Sequence, residues 1–151
     1  MRPSHSRLLF IMTAILTGTL LSGCNLISEQ PVSPATESLQ NTYWKLIALN
    51  GTPVEVMPDQ HEPHLILKQD NKVQGYSGCN MFQGKFELKK ELLEFQPLLM
   101  TRRACMDDNR VEYNLMNLLQ GDVSWSIQGQ KLKLNHADNE SNATFQAVHL
   151  Q

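Results

Sequence analysis

Three cysteines, Cys24, Cys79 and Cys105, carry the most versatile chemistry in this chain of 151 residues: acylation, disulfide formation, metal ligation or nucleophilic attack. An odd number of thiols in an exported protein leaves one over, and the spare needs a partner or a modification. The other reactive side chains form no catalytic constellation. His61 and His64 stand three apart in His-Glu-Pro-His, but Pro63 opposes a helix that would put both imidazoles on one face, so they read as part of a solvated loop. His136 and His149 are isolated, and Ser77 in Gly-Tyr-Ser-Gly-Cys lacks the Gly-x-Ser-x-Gly elbow of a hydrolase nucleophile. Glu91 with Glu94 and Asp107 with Asp108 are pairs by proximity alone, the first in a strand and its turn, the second at a helix start. No catalytic residue, cofactor site or metal site is assigned, and the expectation is a protein that is not an enzyme. Met57, Met81, Met100, Met106 and Met116 lack the Met-x-x-Met spacing of a soft-metal site and read as core filler. Arg102, Arg103 and Arg110 form the one basic cluster. Arg102 and Arg103 are candidate contacts to an anionic head group or a partner's carboxylate, with a solvated face as the alternative.

The elements that hold these residues begin with an address. Arg2, His5 and Arg7 precede an apolar run from Leu8 to Leu21, shorter than the roughly 18 residues a permanent span requires. The run closes on Leu21-Ser22-Gly23-Cys24, which resembles the lipobox of bacterial lipoproteins; the alternatives are an uncleaved anchor or a chance cysteine. The resemblance implies a signal peptide over residues 1–23, lipid such as palmitate on Cys24, and attachment to the membrane through that residue. Several acyl chains hold firmly because each buried methylene contributes about 0.8 kcal/mol. Asn25, where Asp would favour retention at the inner membrane, implies the outer membrane with the domain in the periplasm. Residues 24–40 read as a lipidated N-terminus and flexible tether rich in Pro, Ser and Glu, and residues 41–151 as one domain.

With Cys24 acylated, Cys79 and Cys105 remain in an oxidising compartment, where a disulfide is the default; a redox or metal thiol pair is the alternative, without a Cys-x-x-Cys to support it. Closing that loop is worth about 3 kcal/mol by the chain-entropy model. Charge narrows the partners further. Thirteen Lys+Arg against 15 Asp+Glu give a formal −2 before the basic leader is removed, which excludes electrostatically driven binding of nucleic acid. A hydrophobic content of 41% with mean hydropathy of −0.32 excludes both a polytopic membrane protein and a fully disordered chain.

Within the domain the dominant period is two. Phe82, Gly84, Phe86 and Leu88 alternate with polar residues, as do Val123, Trp125 and Ile127, then Leu132 and Leu134. Further strands are expected at 42–49, 65–68, 72–77, 92–95 and 143–148, separated by turn signals of which Asn50-Gly51 is the strongest. One segment, Asp108 to Gln120, has helical spacing, with Asp107 or Asp108 to cap it and Gly121 to end it. The expected fold is mainly β (α+β): a strongly curved antiparallel sheet or partly open β-barrel with one covering helix.

The stretch Val73-Gln74-Gly75-Tyr76-Ser77-Gly78-Cys79-Asn80-Met81-Phe82-Gln83-Gly84 resembles the signature of the META domain family, which includes the HslJ-like lipoproteins of bacteria. Trp44 and Leu46 ahead of Asn50-Gly51, and Thr101-Arg102-Arg103-Ala104-Cys105 ahead of the helix, are similar to further family elements, with Arg103 standing where an apolar residue such as Met is expected. The glycines suit a bent sheet, and Asn80 suits either the scaffold or contact with a ligand. The resemblance implies a monomeric, non-enzymatic envelope lipoprotein that supports heat-shock or other stress responses and novobiocin-type antibiotic tolerance by binding an envelope protein or hydrophobic ligand. The alternative is a periplasmic inhibitor of lysozyme-like hydrolases.

Overall fold

Alternation of apolar and polar residues turns one face of each strand inward, and the curvature of the sheet runs to full closure. The computed structural model describes residues 36–105 and 110–149; Cys24, Met106, Asp107 and Asp108 lie outside the described residues. The strands are β1 (Tyr43–Leu49), β2 (Thr52–Pro53), β3 (His64–Leu67), β4 (Lys72–Tyr76), β5 (Met81–Lys89), β6 (Leu92–Phe95), β7 (Leu99–Met100), β8 (Gly121–Gln128), β9 (Lys131–His136) and β10 (Asn142–Val148), with helix α1 (Arg110–Leu118) between β7 and β8. Eight of them form an antiparallel ring in the order β1, β3, β4, β5, β6, β8, β9, β10, and β10 returns to β1 with Tyr43 opposite Val148 and Leu49 opposite Ala143. The protein is therefore a closed β-barrel with one short helix, the more curved of the forms the sequence suggests. The two-residue strands β2 and β7 are additions, paired with β1 and β5. The sequence gives no sign of either, because two residues cannot display a period.

Turn chemistry fixes the register. Asn50 and Gly51 both take positive φ, 49° and 77°, as a type I′ hairpin requires, and join β1 to β2 with Leu49 opposite Thr52. Gly75 is needed for a different reason. A Cβ there would lie 2.2 Å from the His64 carbonyl oxygen and 2.5 Å from the Phe82 ring, so hydrogen at this position is what lets the ring of Phe82, directly opposite on β5, lie against β4.

An eight-stranded barrel has an interior just wide enough to be filled by side chains. Trp44, Phe82, Phe86 and Phe145, with leucines from every side, fill it and are fully buried. The helix adds Leu115 and Leu118, followed by Leu119, to the same core. The Trp44 indole N–H is satisfied by the Leu39 carbonyl at 3.0 Å. Leu39 is itself buried, and Gln40 bridges to Leu67, so the last residues assigned by composition to the tether pack on the barrel.

Two sequence readings need correction. Met57 and Met81 are not core filler: they are exposed at 62% and 51%. For Met81 the cause is the strand period itself, since Phe82 points inward and its neighbour must point out. Leu88, grouped with the inward set of β5, is 41% exposed although its register partner Leu93 on β6 is fully buried. The packing at Gly75 gives a first test. Replacement Gly75→Ala should lose about 1–3 kcal/mol in urea unfolding, the usual range for overpacking a filled core. Gly84→Ala, whose Cβ meets the movable end of Leu98, should lose less.

Candidate functional site

The turn between β4 and β5 carries the signature residues, and its polar groups are held from two directions. The Ser77 N–H donates to the Asn80 carbonyl at 2.9 Å, closing the turn, and the Asn80 N–H donates back to Ser77 Oγ at 3.1 Å. The Glu112 carboxylate on α1 takes a short hydrogen bond from Ser77 Oγ, and accepts from the Asn80 N–H at 3.0 Å and from Asn80 Nδ2 at 3.2 Å. On the other side Asn80 Oδ1 accepts from Thr101 Oγ1 at 2.9 Å and from the Arg103 N–H at 2.7 Å, while Asn80 Nδ2 reaches the Arg103 carbonyl at 3.4 Å. Asn80 is buried, and both ends of its amide are bound to the protein's own groups. The Thr101 hydroxyl also accepts the Met81 N–H, and the Thr101 N–H returns to the Met81 carbonyl, so β7 and the residues after it lie along the start of β5.

A disulfide spans the same gap. Cys79 pairs with Cys105, 26 positions further along the sequence, with Cα atoms 5.9 Å apart. Both sulfurs lie beside Glu112. The pairing joins the signature turn covalently to the segment ahead of the helix and encloses Arg103, which follows Asn80's two hydrogen bonds in space and precedes Cys105 in sequence.

On the outer face of the barrel the turn borders an open cleft of about 670 Å³. Its wall is a strip of rings from three adjacent strands. Tyr43 of β1 stacks on His64 of β3 with centroids 4.5 Å apart, and His64 lies opposite Tyr76 of β4 with centroids 6.5 Å apart. His61 meets the Tyr76 ring edge-on at 6.1 Å. At one end the Arg103 guanidinium donates to the Tyr76 hydroxyl at 3.4 Å, and that hydroxyl donates to the Gly78 carbonyl at 3.0 Å. At the other end Glu62 is paired with Lys45 at 2.5 Å. Burial, helped by the charge of Glu62 and a hydrogen bond to it, pushes the Tyr43 phenol up to about 12.

The structure thus brings His61, His64 and Arg103 together, and places the Asn80 amide behind them rather than in the cleft. Arg102 is exposed and does not line it. Three groups of this site are absent from the sequence reading. Glu112 gave only the weak signal of an acid in the first turn of a helix. Thr101 stood in a recognisable element without an evident role. Tyr43 occupied an outward strand position that nothing in sequence distinguishes from its neighbours.

Comparison with known proteins supplies the wider context. A family model described as META domain matches residues 37–149. Among solved structures, an NMR structure of a protein from Burkholderia xenovorans is similar at 26% identity and TM-score 0.60, covering 82% of this chain and all of its own. A second NMR structure is similar at 25% identity and TM-score 0.59, covering 71% of this chain and 89% of its own. No protein of curated function matches the chain.

Two measurements test the site's construction. Thiol titration of unreduced, unfolded protein should find neither Cys79 nor Cys105 free. Cys105→Ser should lower stability by about 3 kcal/mol, the chain-entropy value for a loop of this size. For Tyr43, a phenol raised in the folded state favours its neutral form, so its contribution is complete below the unfolded value near 10 and disappears as pH rises through about 12. Ultraviolet titration should show one late-ionising tyrosine, absent in Tyr43→Phe.

Proposed function

The chain belongs to the META domain family, and we propose that it acts without catalysis, as an envelope lipoprotein that engages a protein or hydrophobic ligand at its outer surface. In this reading Cys24 carries the lipid anchor, the domain stands in the periplasm at the outer membrane, and binding supports resistance to heat and to novobiocin-type antibiotics. The lipobox-like sequence supports the anchor, and the family resemblance supports the stress role.

One observation supports binding outside the barrel. The interior is occupied by the protein's own side chains, whereas Met81 and Leu99 stand exposed at 51% and 70% on adjoining strands and share a groove of about 380 Å³. Among the described residues β7 pairs only with β5, so its other edge is open beside these apolar side chains. An open strand edge with flanking apolar residues suits addition of a strand from a partner protein. The second reading, inhibition of a lysozyme-like hydrolase, draws on Arg102 and Arg103, exposed on a segment pinned by a disulfide and therefore preorganised to enter an acidic cleft.

A single experiment separates the two. Full-length protein and its Met81→Lys/Leu99→Lys variant should melt within about 4 °C of each other, as expected for exposed substitutions. Recovery of an envelope partner, or thermal stabilisation by added lipid, should be lost in the variant alone. A protein unchanged in melting by lipids, detergents and envelope extracts would count against ligand binding. Slowing of lysozyme by the wild type and the variant alike would favour the inhibitor.

A further inference from the structure

Because the ring strands alternate in direction, the β3–β4, β5–β6 and β8–β9 turns share one end of the barrel with the start of β1 and the finish of β10. That end gathers lysine. Lys68 and Lys72 flank the first turn, Lys89 and Lys90 stand at the second, and Lys131 follows the third. The carboxylates there are Glu37, Asp70 and Glu91; Asp70 pairs with Lys72 at 2.6 Å and Glu37 with His149 at 3.0 Å. Glu87 and Glu94, further along the strands, hold Lys89. Among the described residues Lys68, Lys90 and Lys131 make no ion pair. The opposite end carries Glu55, Asp59, Asp122, Asp138 and Glu140, and its basic residues are Arg102, Arg103 and Arg110. Two leucines stand out beside the lysines: Leu88 and Leu92, on either side of the β5–β6 turn, are 41% and 37% exposed.

The described chain enters the barrel at this same end. The Glu37 N–H donates to the Gly129 carbonyl at 3.1 Å and the Asn41 N–H to the Leu67 carbonyl at 2.7 Å, so residues 37–41 are fastened across it. An anchor at Cys24 lies within about 45 Å of Glu37 along even a fully extended chain. Lysines held close to an anionic bilayer are drawn to it by its surface potential, and their long stems let the ammonium groups reach the phosphates while neighbouring apolar side chains settle at head-group depth.

We propose that the lysine-bearing end of the barrel is a docking face for an anionic lipid bilayer, with Lys68, Lys90 and Lys131 on the phosphates and Leu88 and Leu92 at head-group level. The signature turn, α1 and the Met81–Leu99 edge then face away from the membrane. The proposal rests on the reading that the chain is anchored at Cys24 and adds an orientation to it.

The test uses the chain that begins at Cys24. Its core is drawn from residues 39–147, so the barrel is kept whole, and with Cys79 and Cys105 paired Cys24 is the free thiol. Coupled through that thiol to a maleimide lipid, the protein is placed on vesicles of phosphatidylcholine alone or of phosphatidylcholine with phosphatidylglycerol, and acetylation of each lysine is followed by mass spectrometry. Lys68, Lys72, Lys89, Lys90 and Lys131 should react at least about threefold more slowly on the anionic vesicles, while Lys85, about 13 Å along β5 from Lys89, should change by less than about 1.5-fold. Protection should vanish in about 0.5 M salt, where the screening length falls to about 4 Å. In Lys68→Gln/Lys90→Gln/Lys131→Gln, which should melt within about 4 °C of the wild type, Lys72 and Lys89 should lose their protection. Equal reactivity on the two kinds of vesicle, protection shared by Lys85, or protection that survives salt or the triple substitution would each overturn the docking face. Mass spectrometry of the protein extracted from cells tests the anchor separately: an unmodified Cys24 would overturn that reading, an outcome distinct from all of these.

Discussion

A buried amide must have its donors and acceptors met, at a cost of about 1–3 kcal/mol for each left unpaired. In this protein that demand falls on Asn80. Its side chain can be satisfied only if three separate parts of the chain converge: the turn after β4, the segment after β7, and the first turn of α1. Geometry elsewhere follows from this convergence. The disulfide limits how far Cys79 and Cys105 can separate, but a single covalent link leaves orientation free. The amide, acting on both backbone groups of Arg103, sets direction as well as distance. Glu112 completes the arrangement from the helix, which ties the position of α1 to the same small set of hydrogen bonds.

Barrel closure has the opposite effect on function. Eight strands leave room inside for side chains and little else, and Trp44, Phe82, Phe86 and Phe145 use it. Space not taken by the protein's own side chains is thereby left to the outside, where the neighbouring strands β4 and β5 both border it. Tyr76 and Met81 are register partners across that pair; both line the ring-lined cleft, and Met81 also borders the apolar edge at β7. The signature turn sits between them. Residues that look like scaffold by type are thus also the residues that place both outer surfaces.

Much of the fold was legible because its signals are local. Asn50-Gly51 announces a turn through backbone chemistry that few other dipeptides satisfy, and the alternation through 82–86 and 131–134 fixes which side chains point inward. Thr101 and Arg103 could be recognised as part of a motif, and Cys79 with Cys105 was expected to pair on the reading that the protein is exported. The contacts that make the site were illegible for a common reason. Asn80 to Glu112 spans 32 residues, and no periodicity reports which acid of a helix turns toward a distant amide. The same holds for Tyr43 and His64, brought together by the pairing of β1 with β3. Leu39 was hidden by its neighbours: a Pro- and Ser-rich composition masks one apolar residue that caps the Trp44 indole.

The pairing of β1 with β10 also orders events in time. The first long strand of the barrel finds its partner in the last, with Tyr43 against Val148, so the ring cannot close until nearly the whole domain has emerged from the ribosome. Contacts this distant in sequence form slowly, since the loop entropy is lost before the pairing compensates. During that interval β1, the strand bearing Trp44 and Tyr43, has one edge unfilled. Pairing of β10 is therefore the event that removes the last open edge of the ring.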